Sequence, residues 1–175
     1  IKEVQDAGIQ VVMITGDRLE TAVAIARDAG LLKIEEDKAL TSKQLNEMSD
    51  EEVKKILPHI RVIARALPTD KSRMVRLCQE MNLVVGMTGD GVNDTPALKS
   101  ANIGVAIGSG TDIAKETGNM IITDDNFSSI VNGVEEGRRA YNNIRKVIYL
   151  LLSTGLSEII LFVLSMIFNF PIPLV

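Results

Sequence analysis

The chain has 175 residues, 46% of them hydrophobic and 24% charged, with a net charge of −4; this is the profile of a globular chain, not a disordered one, and it argues against a general nucleic-acid binder. Aromatic residues are 3% and tryptophan is absent, so no base-stacking platform is expected. The single Cys78 and the single His59 exclude an internal disulfide framework, a metal–thiolate cluster and a paired-histidine metal site.

Residues 9–14, IQVVMI, read as a short buried strand. ETAVAIARDAG reads as a helix closing at Gly30, a residue type suited to a helix C-terminal cap. Residues 33–60 are rich in Lys, Glu and Asp and read as a surface helical insert without chemistry. Within them SDEE, residues 49–52, has the form of a capping box and opens a short helix that stops before Pro58. RVIARA is a strand. TDKSRMVRLCQEM is an amphipathic helix with Met74, Val75, Cys78 and Met81 on one face, and Cys78 is read as a core residue. LVVGM is a further buried strand, and DTPALKSAN a helix with Pro96 in its tolerant first turn. IGVAI, TDIAKET and NMIIT read as strand, helix and strand. Apolar strands alternating with helices indicate an α/β fold with a Rossmann-like parallel sheet covered on both faces.

The composition changes near residue 147. From Val147 to Phe170 there is one acid, Glu158, and no base. A bilayer core takes roughly 20 apolar residues in a helix. Arg138, Arg139, Arg145 and Lys146 precede the run, which sets that end on the cytoplasmic side. A buried core helix is the other reading; length and flanking bases favour the membrane. No strong breaker falls between Ser128 and Phe168, so one helix of roughly 60 Å is expected. A carboxylate inside a span costs about 2.5–3.5 kcal/mol on insertion scales, and such residues mark ion paths.

Three strand ends carry polar, glycine-flanked turns. MITGD puts Thr15, Gly16 and Asp17 after the first strand. GMTGDGVND puts Thr88, Asp90, Asn93 and Asp94 after a later one, and LPTDKS puts Lys71 at a helix start. Ligands of open parallel sheets bind beyond the carboxyl ends of the strands. Paired carboxylates with an Asn suit Mg²⁺, which takes one or two carboxylates plus phosphate oxygens. Thr15 can donate to phosphate oxygens, and Lys71 supplies a point charge to a phosphoryl group. Alone, TGD is a common turn and Lys71 a solvated lysine. GDGVND is the specific element, and the three together fit phosphoryl transfer.

MITGD, TDKSRMV, MTGDGVNDTPAL, IGVAIGSGTDIAKE and DDNFSSIVNGVEEGR together resemble the phosphorylation domain of P-type cation-transporting ATPases, in the haloacid-dehalogenase-like superfamily. The resemblance covers nearly the whole chain, and NNIRKVIYLLLSTGLSEIILF is similar to the stalk and fifth membrane helix of the calcium-pump-like branch. It implies a phosphorylation domain over residues 1–126, a stalk over 127–146, a membrane helix over 147–170 and the start of a loop over 171–175. It implies Mg²⁺ at Asp90, with Asn93 and Asp94 organising the phosphate site. Thr15 and Lys71 would bind the phosphoryl group, and Asp17 would lie near the nucleotide, ATP. It also implies a transported cation at Glu158, calcium by that branch, and a lipid bilayer and the pump's other domains as partners. Gly155 stands where animal calcium pumps often carry Asn, which removes one oxygen ligand.

The family's Asp-Lys-Thr-Gly-Thr nucleophile motif is absent. The chain also begins at Ile1 without Met, so the resemblance implies an inactive fragment whose nucleophile lies upstream. The alternatives are a soluble phosphatase of the same superfamily, a non-catalytic interaction module and, last, a nicotinamide-binding domain. For the last, GSGTDIAK lacks the third glycine of the dinucleotide fingerprint, with Ile113 in its place.

Overall fold

A computed structural model describes residues 1–169 and 171. The chain divides into two units, Ile1–Ser129 and Ile130–Val175. The first is α/β, with two three-stranded parallel sheets.

The first sheet has β1 (Met13–Ile14), β2 (Lys38–Thr41) and β3 (Ile60–Ala64) in the order β1-β3-β2. β3 is central, pairing Val62 with Met13 and Ala39, and Ile63 with Ile14 and Leu40. A central parallel strand is covered on both faces and so reads as an apolar run. Ile60 and Ile63 join a cluster with Leu45, Val53, Leu57 and Leu77. Val62 and Ala64 join another, with Ala22 and Ala26 from helix α2 (Leu19–Asp28). The short α1 (Lys2–Asp6) precedes β1. The end of α2 follows its composition: Gly30 has φ +70°, and its amide and that of Leu31 bond back to Arg27 and Ala26, as a left-handed glycine cap does.

The second sheet has β4 (Gly86–Gly89), β5 (Ile103–Ile107) and β6 (Met120–Ile122), with β5 central. Its core is small: Leu98, Ala106 and Ala114, with Met87 against them. Leu98 belongs to α6 (Thr95–Ser100) and Ala114 to α7 (Asp112–Thr117).

Five sequence expectations change. The one sheet is two sheets of three strands; among the described residues β1 and β4 each pair on one side only. The first strand is paired only over Met13–Ile14 because β3 places only Val62 and Ile63 opposite it. Leu83 and Val84 lie outside β4 and are 45% and 80% exposed; an apolar run signals a strand, but its burial depends on a neighbour. Residues 33–60 are no surface insert. They contain β2, α3 (Ser42–Glu47) and α4 (Asp50–Ile56), whose Leu40, Leu45 and Val53 fill the core; the charges around them occupy the solvent side. On α5 (Pro68–Glu80), Leu77 is buried and Met81 is 36% exposed, because Met81 falls just past the last turn. The expected capping box at Ser49 is formed, and the structure adds a second at Thr41. Cys78 is half-buried, and burial pushes its thiol above the ordinary value, as for an unreactive core cysteine.

The second unit is formed, over residues 130–168, by α8 (Ser128–Phe168), unbroken over 41 residues. It is long and apolar enough to cross a membrane, and its apolar stretch is exposed. Arg145 lies 5.9 Å from the Tyr141 ring centre and 5.6 Å from that of Tyr149, and its guanidinium donates to the Tyr149 hydroxyl at 3.1 Å. The expected loop over residues 171–175 lies outside the described residues apart from Pro171.

Candidate functional site

β1 ends at Ile14, and the next residues turn tightly. The Thr15 hydroxyl donates to the Asp17 carboxylate at 2.9 Å and accepts from the Asp17 amide at 3.2 Å. The Thr15 amide donates to Ile63, while the amides of Ala66 and Arg65 donate to the carbonyls of Thr15 and Asp17, each at 2.9 Å. The tip of β1, with Gly16 in its bend, is thereby stitched to the turn between β3 and α5.

That turn delivers Lys71. Asp70, at the third position of α5, is 1% exposed. Its carboxylate accepts from the Leu67 amide at 2.8 Å, the Ser42 hydroxyl at 2.6 Å and the Asn46 amide group at 3.0 Å. A buried carboxylate is tolerable only when its lone pairs are so occupied. Further along, the Arg73 guanidinium donates to the carbonyls of Leu45 and Met48 and to Asp50. The start of α5 is thus bound to α3 and α4, which come from the stretch read as an insert. This is what sequence reasoning missed; the one available signal was an acid at the third position of a helix opened by Pro68.

Lys71 forms an ion pair with Asp94, and the two side chains are 19% and 8% exposed. Asp94 ends a single 3₁₀ turn, Val92–Asp94, and also accepts from the Asp90 amide at 3.3 Å. Gly89 has to be glycine: a Cβ there would lie 2.5 Å from the Asp94 Cβ. Asp90 and Asn93 are exposed, and the Asp90 carbonyl accepts from the Thr111 amide at 2.8 Å. Thr88 lies inside β4.

The structure therefore joins Lys71 to Asp94, Asp94 to Asp90, and Thr15 to Asp17, and it ties the Thr15–Asp17 tip to the turn that opens α5. Glu158 belongs to the other unit and is exposed on α8. Nearby, the hydroxyls of Thr154 and Ser157 bond back to helix carbonyls at 3.1 and 2.8 Å.

No group of three or more acidic, His or Cys side chains stands together among the described residues. A Mg²⁺ site completed by phosphate oxygens and water needs only one or two carboxylates. The exposed Asp90, with Asp94 beside its backbone, fits that description.

A family model for haloacid dehalogenase-like hydrolases matches residues 1–102. The chain is 47% identical over 176 residues to a calcium-transporting ATPase of Bacillus subtilis (strain 168), covering 100% of this chain and 20% of that protein. It is 46% identical over 181 residues to a P-type sodium-transporting ATPase4 of Toxoplasma gondii (strain ATCC 50861 / VEG), covering 97% of this chain and 14% of that one. Among solved structures it resembles a zinc-transporting PIB-type ATPase in the E2.Pi state, with TM-score 0.69 and 29% identity, over 98% of this chain and 23% of the other. The chain thus spans a fifth or less of these curated relatives.

Proposed function

Because the chain belongs to the haloacid dehalogenase-like hydrolase family, we propose that it is the phosphate-handling part of a P-type cation pump, followed by a helix that carries part of the ion site. The pairing of Lys71 with Asp94 carries this reading. It unites a helix start after the first sheet with the turn after β4, and leaves Asp90 exposed alongside.

In this reading Asp90 holds Mg²⁺ through its carboxylate, and Asn93 and Asp94 order the surrounding phosphate site. Bound there, Mg²⁺ neutralises charge on the phosphoryl group. The Lys71 ammonium meets the phosphoryl oxygens as a point charge, held in place by Asp94. The Thr15 hydroxyl and the Gly16 backbone donate to the same oxygens, and Asp17 borders the ATP. The nucleophilic aspartate belongs to a part of the protein outside this chain, so this chain alone transfers no phosphate. Positioning and charge neutralisation are what such a site contributes.

Residues 127–146 then serve as a stalk and 147–170 as the membrane helix, with residues 1–146 cytoplasmic. Glu158 lies nine residues beyond Tyr149, about 13 Å along a helix. With the Tyr141–Arg145–Tyr149 group at the headgroups, that is close to the middle of a hydrocarbon core roughly 30 Å thick. A carboxylate at that depth suits a cation ligand, and the calcium-transporting relative favours calcium. The apolar exposed helix and the membrane-pump relatives disfavour a free-standing phosphatase.

The test is phosphorylation of the full-length protein by ATP. Asp90→Asn is expected to lower the Mg²⁺-dependent phosphoprotein by about 100-fold, and Glu158→Gln to abolish its activation by calcium. An undiminished Mg²⁺ response in Asp90→Asn removes the site assignment; activation by sodium alone would replace the ion.

A further inference from the structure

We propose that residues 108–111, Gly-Ser-Gly-Thr, form a backbone clamp that aims Asp90, and that Asp125 locks it. The proposal rests on the magnesium reading of Asp90 and adds two positioning residues to it, Gly110 and Asp125.

The segment follows β5 and by composition resembles a phosphate-cradling loop, which works by pointing free backbone N–H groups at an anion. Here all four amides are already committed. The Gly108 amide donates to the Ile122 carbonyl at 2.8 Å, and that of Gly110 to Ile107 at 2.9 Å. The Ser109 amide donates to the Asp125 carboxylate at 2.9 Å, and the Thr111 amide to the Asp90 carbonyl at 2.8 Å. No free backbone amide remains in the segment to hold a phosphate. The glycines are there for closeness: a Cβ on Gly110 would lie 2.6 Å from the Asp90 carbonyl oxygen and 2.9 Å from its Cα. One on Gly108 would lie 2.7 Å from the Ile122 carbonyl oxygen.

Asp90 needs such support because its side chain is exposed, so core packing does not set its direction. Its backbone is held at two points, by Asp94 at the amide and by Thr111 at the carbonyl. The first belongs to the GDGVND motif. The second depends on residues 108–111 keeping their path, and Asp125 fixes that path from the far side. Asp125 itself has φ +54°, a left-handed conformation that Asp and Asn adopt more readily than Ala. Asn at this position keeps both the acceptor oxygen and the conformation; Ala loses both.

Two measurements on the full-length protein test the clamp. The first is amide exchange of residues 108–111 without Mg²⁺, expected to be slow in the native protein and in Asp125→Asn and fast in Asp125→Ala. The second is the Mg²⁺ concentration giving half-maximal phosphorylation. Asp125→Ala and Gly110→Ala are expected to raise it about tenfold or more, as loss of an outer partner does, while Asp125→Asn stays within about twofold. A merely structural role would lower the phosphoprotein level without moving the half-point. If Gly110→Ala does not fold, the Asp125 pair decides. Fast exchange in the native protein, or an unmoved half-point in Asp125→Ala, overturns the clamp when Asp90→Asn does respond. An unresponsive Asp90→Asn overturns the magnesium reading itself.

Discussion

On one face of β3 the buried neighbours are large: Leu45, Val53 and Leu77 are fully inaccessible, as are Ile60 and Ile63 of the strand itself. Around β5 they are Leu98, Ala106 and Ala114, and glycines at 104, 108 and 110 allow backbone to approach backbone. Each region ends in a turn that must hold a charged side chain still. The first holds Lys71 through side chains, by apolar bulk and the Asp70–Ser42–Asn46 and Arg73–Asp50 bonds. The second holds Asp90 through main chain. The first should therefore be sensitive to what is removed, and the second to what is added.

The strongest break of this contrast is Leu77→Ala. Deleting a fully buried leucine from the dense core is expected to cost about 3 kcal/mol or more, read as a lower denaturation midpoint of the whole chain in detergent. A loss under about 1 kcal/mol would mean that the first core is as slack as the second. Next is an addition, Gly104→Ala, whose Cβ would lie 2.6 Å from the Leu98 carbonyl oxygen. The obstacle is backbone, so a loss of about 1–3 kcal/mol is expected in the same assay; a neutral result would refute close backbone packing around β5.

The smallest effect concerns the charges that bind α4 to α5. Hydrogen bonds from Arg76 and then Arg73 hold the Asp50 carboxyl below its ordinary 3.8. Lys54 and then Arg76 hold Glu80 below 4.5. A carboxylate whose folded value is depressed adds stability that is complete above its unfolded value and lost as pH falls through the folded one. Native protein should therefore lose stability as pH drops below about 4.5, and Asp50→Asn should flatten that slope. These groups lie at the surface and are partly exposed, so the change is expected to shrink in high salt; a slope identical in the variant would remove the network from the account.

What was legible in the sequence follows the range of the interactions. The Ser49 capping box, the Gly30 cap and the Pro96 helix start are complete within a few residues, and each formed where its motif stands. The helix over 128–168 was legible because nothing interrupts it. β2 was not, since only Leu40 of its four residues is buried and its strand character comes from pairing with β3. Leu83 and Val84 misled for the converse reason: their apolarity is local, but their burial would need a neighbour. At the candidate site, residue types were legible and partners were not. Asp70 meets Ser42 and Asn46 across 28 and 24 positions, and Lys71 meets Asp94 across 23. Nor does GSGT reveal that its amides are already engaged.

In the proposed membrane placement, the two tyrosines flanking Arg145 would give α8 an asymmetric resistance to sliding. With residues 147–168 across a bilayer, a one-turn descent of about 5.4 Å drags a guanidinium and two phenol hydroxyls toward oil, against a steep penalty. A one-turn rise merely lets a few aliphatic side chains meet the headgroups. So placed, the helix would have a stop against descent into the bilayer and slack in the opposite sense, so vertical play would favour travel toward the side of Arg145.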